Sequence, residues 1–183
     1  YQAVAIDVSP NLYRDLTENK IELAFLSLHG PGGEDGTIQG FLETLGIPYT
    51  GSGVQASAMG MHKVTTKTLA VSAKVPVPAG TQVRRGEQPS LAMVLKATKL
   101  KLPVVVKPAS QGSTIGVSIV RKPAQWKEAL VLAHRYDPDA MVEAYIPGHE
   151  TTVSILGAAS GVLTVLPVVE IVAPEGFYDF SAK

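Results

Sequence analysis

The chain has 183 residues, 45% of them apolar and only 17% charged, with sixteen basic side chains balanced by sixteen acidic ones. That length and composition allow a packed core and exclude a disordered chain, while a neutral total with no basic run leaves no electrostatic footprint for nucleic acid. The absence of cysteine excludes disulfides, thiolate metal sites and a cysteine nucleophile and suits a reducing cytoplasm, and apolar stretches such as Val162 to Val169 fall far short of the roughly 20 residues a membrane helix needs.

Val4 to Val8 reads as a strand already inside a fold, and the chain closes on Ser181-Ala182-Lys183 just after a cluster of Tyr, Asp and Phe. Both ends are therefore expected to lie within a larger protein. Leu23 to Leu28 is a continuous apolar run of the kind expected of a strand buried on both faces. It feeds His29-Gly-Pro-Gly-Gly-Glu-Asp-Gly36, where four glycines let the backbone approach a ligand and a histidine and two adjacent carboxylates stand beside it. Thr37, Ile38, Phe41, Leu42 and Leu45 then recur at helical spacing until Gly46. Strand, glycine loop and helix in that order place a ligand at the carboxyl end of the strand.

Ile47 to Gly53 is rich in turn residues, and a domain boundary is expected near Gly51 to Gly53. Gln55 to Met61 and Lys63 to Ala73 read as helices, stopped by Val75-Pro76-Val77-Pro78. Leu91 to Leu100 is a further helix, Val104 to Pro108 a strand, and Ala109 to Gly116 a loop that returns as strand Val117 to Val120. Pro123 opens a helix whose Trp126, Ala129, Leu130 and Ala133 share a face. Met141 to Ile146, Glu150 to Leu156 and Leu163 to Ile171 make the second half rich in strands.

Lys107 closes the valine strand six residues before Ser113, so its ammonium is expected beside a glycine-flanked turn whose amides could help it hold phosphate oxygens. The spacing is neither a Walker loop nor a dinucleotide fingerprint. Lys63, taken alone, is an ordinary helix lysine. Glu143 and Glu150 flank Pro147-Gly148, and two such carboxylates could accept from an adenine amino group and a ribose hydroxyl pair.

Together, His29 to Gly36, Gly46-Ile-Pro-Tyr-Thr-Gly-Ser-Gly53, Val106-Lys-Pro108 with Gly112-Ser-Thr-Ile-Gly116, Val142-Glu143, Glu150, and Phe177-Tyr-Asp-Phe180 before Ala182-Lys183 resemble the D-alanine:D-alanine ligases of the ATP-grasp superfamily, in order and spacing over nearly the whole chain. The resemblance implies an α/β and α+β ATP-grasp fold, with residues 1–52 in an N-terminal α/β domain, 53–143 in a central domain and 144–183 at the start of a C-terminal domain. It implies a cytoplasmic, homodimeric enzyme that joins two D-alanines for peptidoglycan at the expense of ATP, with no nucleic-acid or membrane partner. By position, Lys63, Lys107 and Lys183 would hold ATP phosphates, Glu143 with the backbone of Ala144 to Ile146 would take adenine, and Glu150 would take ribose. His29 would lie by the first D-alanine; Ser113 would help a hydrogen-bonded group orient its amine and, with Thr114, form a lid over the phosphates.

The chain departs from the family at His62, where an acid is usual, at Ser113-Thr114, where two serines are usual, at Gln111, and at Phe180, where tyrosine is common. No metal ligand is assigned within the chain: the magnesium or manganese ligands, like the catalytic arginine and the second D-alanine pocket, are expected downstream of Lys183, and the glutamate for the substrate amine upstream of Tyr1. The 183 residues alone are accordingly expected to lack ligase activity. The competing readings are another ATP-grasp ligase, such as a D-alanine:D-lactate ligase, and a nucleotide-binding module without chemistry.

Overall fold

The computed structural model describes residues 2–157 and 161–172. The chain forms two compact units, divided after Thr66.

In unit 1, helix α1 (Leu12–Glu18) and helix α2 (Thr37–Thr44) bury Leu16, Ile38 and Leu42 against one another's neighbourhood, with Leu26, Leu28, Phe41 and Ile47 packed around them. The spacing of Ile38 and Leu42 is one helical turn, which is why both reach the same core. Helix α3 (Val54–Met61) follows, its first residue close to α2. The backbone turns through φ +93 at Gly36, and a side chain there would stand 2.7 Å from the Val54 carbonyl oxygen, so this position admits only glycine.

Two expected strands of unit 1 are not formed. Val4 to Val8 carries no strand pairing, and Leu23 to Leu28 is reduced to a single parallel bridge between Ala24 and Tyr49. Nor is that run buried on both faces. Ala24, Leu26 and Leu28 are half-buried, whereas Leu23 and Phe25 are 61% and 80% exposed, an alternation that puts one face on the α2 core and leaves the other uncovered. A two-sided strand needs a neighbour on each side and a layer over each face; here one face has the Leu16, Ile38 and Leu42 cluster and one edge has the Tyr49 segment, while Leu23 and Phe25 stay exposed. The parallel bridge still sets the segments before and after α2 side by side in the same direction, the arrangement an α/β unit uses.

Helix α4 (Lys63–Ser72) leads into unit 2, whose sheet has the order β1 (Gly80–Arg84), β4 (Asp139–Ala144), β2 (Val104–Pro108) and β3 (Ser118–Val120), antiparallel throughout. Strand β1 and helix α1 have no counterpart in the sequence reading. Val83, Val104, Val106, Val120, Ala140 and Val142 point to one face, where they meet helix α5 (Leu91–Thr98) and helix α6 (Trp126–Tyr136). The four α6 residues read as one face, Trp126, Ala129, Leu130 and Ala133, are all buried. Because side chains alternate along a strand, packing these valines on the helices turns Val105, Lys107, Met141 and Glu143 to the opposite face.

Strands β5 (Glu150–Gly157) and β6 (Leu163–Ile171) form a separate antiparallel pair whose register slips between Val153 and Ile155. Pro167, which has no N–H to give a ladder, falls at that irregularity.

Candidate active site

A polar cluster of unit 2 lies on the sheet face turned away from α5 and α6. Val105 pairs with Glu143 and Lys107 with Met141 in the β2–β4 register, so Lys107 and Glu143 are diagonal neighbours on one face. Lys107 Nζ donates to Glu143 Oε1, and Lys67 Nζ, from α4, donates to Glu143 Oε2 at 2.9 Å and to the Pro78 carbonyl at 2.6 Å. Glu143 is 7% exposed. Burial opposes its charge, but the bonds and fields of Lys107 and Lys67 outweigh that and hold the carboxyl below its ordinary value. Two ammonium groups on one carboxylate leave a net positive charge.

Gly80 makes room for this arrangement. It stands opposite Glu143 on β1, and a side chain there would press on the Val142 carbonyl and come within 2.9 Å of Glu143 Cβ.

The loop after β2 is anchored at its root by Asp137, which is buried and accepts from the Ser110 amide at 2.7 Å and the Asp139 amide at 2.8 Å. Its tip is unusual. Ser113 and Thr114 are successive non-glycine residues in the left-handed region, at φ 53 and 57. Conformations that cost energy recur at ligand clamps, and these hydroxyl-bearing residues sit in the loop that leaves the strand carrying Lys107.

Beyond Glu143 the chain is pinned by the Ala144 amide on Ala79 O and by Arg121, whose guanidinium lies 5.5 Å from the centre of the Tyr145 ring. Ile146 is exposed, and Glu150 is exposed at the start of β5, opposite Ile171. The structure thus brings Lys107 and Glu143 into direct contact and sets Ala144 to Ile146 immediately after them. It adds Lys67, which the sequence reading did not single out. The available signal was only its place one helical turn after Lys63, which opens α4. Lys183 and the Phe177 to Phe180 cluster lie outside the described residues.

In unit 1, His29 is exposed at the head of the glycine loop. The two carboxylates beside it serve the loop itself: Glu34 Oε2 accepts from the Gly30 amide at 2.6 Å, Asp35 Oδ2 from Gly32 at 2.8 Å and Asp35 Oδ1 from Thr37 at 3.0 Å. The Gly32 amide bond is the chief reason the Asp35 carboxyl lies below its ordinary value, against a smaller cost of burial. Glu34 and Asp35 are therefore fasteners of the turn, because amides that point inward in so tight a loop need acceptors close by. Gln39 continues the pattern, donating from Nε2 to Gly33 O at 2.9 Å.

No cluster of three or more His, Asp or Glu side chains suited to a metal ion occurs among the described residues, and Glu143 has both oxygens committed to lysines. These residues do not fit a magnesium site. No helix among the described residues is long and apolar enough to cross a membrane.

Comparison with known proteins matches residues 5–52 to the N-terminal model, and residues 69–183 to the C-terminal model, of the D-ala D-ala ligases. The chain is 45% identical over its whole length to the D-alanine–D-alanine ligase of Citrifermentans bemidjiense and 48% identical to that of Pelotomaculum thermopropionicum, spanning 56% and 58% of those proteins. Among solved structures, the D-alanine-D-alanine ligase from Coxiella burnetii matches at 31% identity and a TM-score of 0.74, covering 82% of this chain and 44% of that one. The VanG D-Ala:D-Ser ligase from Enterococcus faecalis matches at 33% identity and a TM-score of 0.77, covering 88% and 46%. The mixed helix-and-sheet architecture is that of these ATP-grasp neighbours, and the chain spans little more than half the length of the curated relatives it matches. It belongs to the D-ala D-ala ligase family.

Proposed function

We propose that this chain supplies the nucleotide site and part of the first-substrate site of an ATP-dependent ligase that joins two D-alanines for peptidoglycan, acting in the cytoplasm as a homodimer. The observation that carries the reading is the Lys67–Glu143–Lys107 cluster, a partly buried group with surplus positive charge at the foot of a loop that carries two left-handed hydroxyl residues. In this reading ATP phosphorylates the carboxylate of one D-alanine, and the amine of the second attacks the acyl phosphate and expels phosphate. The chain's part is positioning and charge neutralisation.

Lys107, with Lys63 and Lys183, takes phosphate oxygens. Each oxygen of Glu143 keeps a lone pair beyond its lysine bond, and that capacity accepts from the adenine amino group while the backbone from Ala144 to Ile146 completes the edge. Glu150 takes the ribose hydroxyls. Ser113 and Thr114 close over the phosphates, Ser113 helping to orient the amine of the first D-alanine, and His29 lies by that substrate. A divalent ion, magnesium or manganese, would lower the charge of the phosphates; its ligands come from outside the described residues. The division into domains at 52 and 143 belongs to the same proposal.

The test is the complete enzyme supplied with ATP, magnesium and D-alanine, with phosphate and dipeptide measured together. Equal release of phosphate and D-alanyl-D-alanine is expected. Nucleotide binding without acyl-phosphate formation would replace this reading with a binding module. The likeness to a D-Ala:D-Ser ligase favours including D-serine, alongside D-lactate, as competing second substrates in the same assay.

A further inference from the structure

Lys67 differs from an ordinary salt-bridge partner in two respects. First, it makes the cluster unequal. A carboxylate that merely needed a counter-ion would be satisfied by Lys107, which already bonds Oε1, yet Lys67 brings a second ammonium to Oε2. Both lysine side chains are mostly shielded, 21% and 23% exposed, so the charge left over among the described residues is held where water screens it poorly. Surplus positive charge in such a place costs stability unless an anion comes to it. Second, the two lysines are not used alike. Lys67 is held by the Pro78 carbonyl as well as by Glu143, whereas among the described residues Lys107 donates to Glu143, and an ammonium has three hydrogens to give.

We propose that Lys67 is a positioning residue for nucleotide binding: by holding Oε2 of Glu143 from the α4 side, it shares that carboxylate with Lys107 and leaves the Lys107 ammonium with net charge and free donors for a phosphate group. The proposal rests on the nucleotide reading of this site. Without Lys67, one carboxylate and one ammonium would neutralise each other, while Glu143, still held at Oε1 by Lys107, would keep its place for the adenine amino group. The Pro78 bond adds rigidity, because it ties the proline-rich segment before β1 to the same ammonium that fixes Glu143. Lys67 need not touch the nucleotide.

The test is titration of ATP, and separately of adenosine, into the full chain and its Lys67→Met, Lys67→Arg, Glu143→Gln and Lys67→Met/Glu143→Gln variants. Loss of the shared charge is expected to weaken ATP about tenfold in Lys67→Met, in the range of a charge-assisted bond, while adenosine, which has no phosphate, weakens by less than about threefold. Lys67→Arg should recover most of the ATP affinity. In the Glu143→Gln background the Lys67→Met change should cost little more, since Lys67 acts through Glu143. Should Lys67→Met fail to fold, Lys67→Gln, which keeps a donor for Pro78 without the charge, carries the same expectation. Equal losses for ATP and adenosine, or fully additive effects of the two substitutions, would overturn the proposal and leave Lys67 a structural residue. No ATP binding by the unsubstituted chain would overturn the nucleotide reading itself.

Discussion

Gly80 faces Glu143 across the β1–β4 ladder with no side chain of its own, and the Cβ it lacks would stand 2.9 Å from Glu143 Cβ and 3.0 Å from its Cα. The charged cluster is therefore accommodated by an absence on the neighbouring strand. Gly80→Ala is expected to force β1 away from β4 or to tilt Glu143 off its lysines, an overpacking cost of about 1 to 3 kcal/mol. Urea denaturation reads the first effect and ATP titration the second. A variant with an unchanged unfolding midpoint and unchanged affinity would show that β1 yields freely.

Lys107 is the group through which the cluster would meet a phosphate. Lys107→Ala removes a charge-assisted contact worth about 1.5 to 3 kcal/mol, so ATP affinity should fall well beyond the effect of an exposed lysine such as Lys127. Glu143 keeps Lys67 in that variant, so the fold should survive and the loss should appear in binding. Nucleotide affinity equal to that of the unsubstituted chain would take Lys107 out of the site.

The parts of this architecture written in local periodicity were legible in the sequence. Three consecutive valines mark β2, and the Trp126, Ala129, Leu130 and Ala133 spacing marks α6, because a short apolar run and a one-sided helical repeat are both local signals. What depended on distant partners was not. The Leu23 to Leu28 run looked fully buried, but whether its second face is covered depends on elements far away in sequence, and Phe25 stands exposed. Strand β1 was unread because Gly80-Thr-Gln-Val-Arg84 has only one buried apolar residue, its place being fixed by pairing with β4. Lys67 is silent for the same reason: 76 positions separate it from Glu143, and nothing in a threonine-rich helix announces an ion pair at that range. Lys107 and Glu143 each stand out in the sequence, and only the β2–β4 register shows that they meet.

Asp35 offers a test confined to unit 1. One oxygen accepts from Gly32 and the other from Thr37, joining the glycine loop to the first turn of α2. Asp35→Ala leaves two amides to find other acceptors, and the expected loss is about 1 to 2 kcal/mol, comparable to removing a helix cap. Hydrogen exchange at Gly32 and Thr37 should quicken before that of Leu42 in the core. Exchange rates that do not change at either amide would mean that the loop holds its shape by glycine packing alone.

The titrating groups predict opposite limbs of the stability profile. Glu143 has a folded value below its ordinary 4.5 and Asp35 one below 3.8, so both stabilise the fold at any pH above those ordinary values. Protonation removes that contribution as the pH drops through the lowered folded values, because the unfolded chain then binds more protons. His149, bonded to Glu170 across β5 and β6, has the reverse sign. Its value is raised above 6.5, chiefly by the Glu170 bond, so its contribution is complete below 6.5 and is lost as the pH rises through the raised value. Its side chain is 80% exposed, and solvent screening makes this limb the weaker one. Unfolding midpoints in urea should therefore fall on acidification, and Glu143→Gln and Asp35→Asn should each flatten that fall. The alkaline change should be seen in the β5–β6 resonances near His149 and be abolished by Glu170→Gln. An acid limb that keeps its full depth in both the Glu143→Gln and Asp35→Asn variants would mean that other carboxylates set the acid stability of the chain.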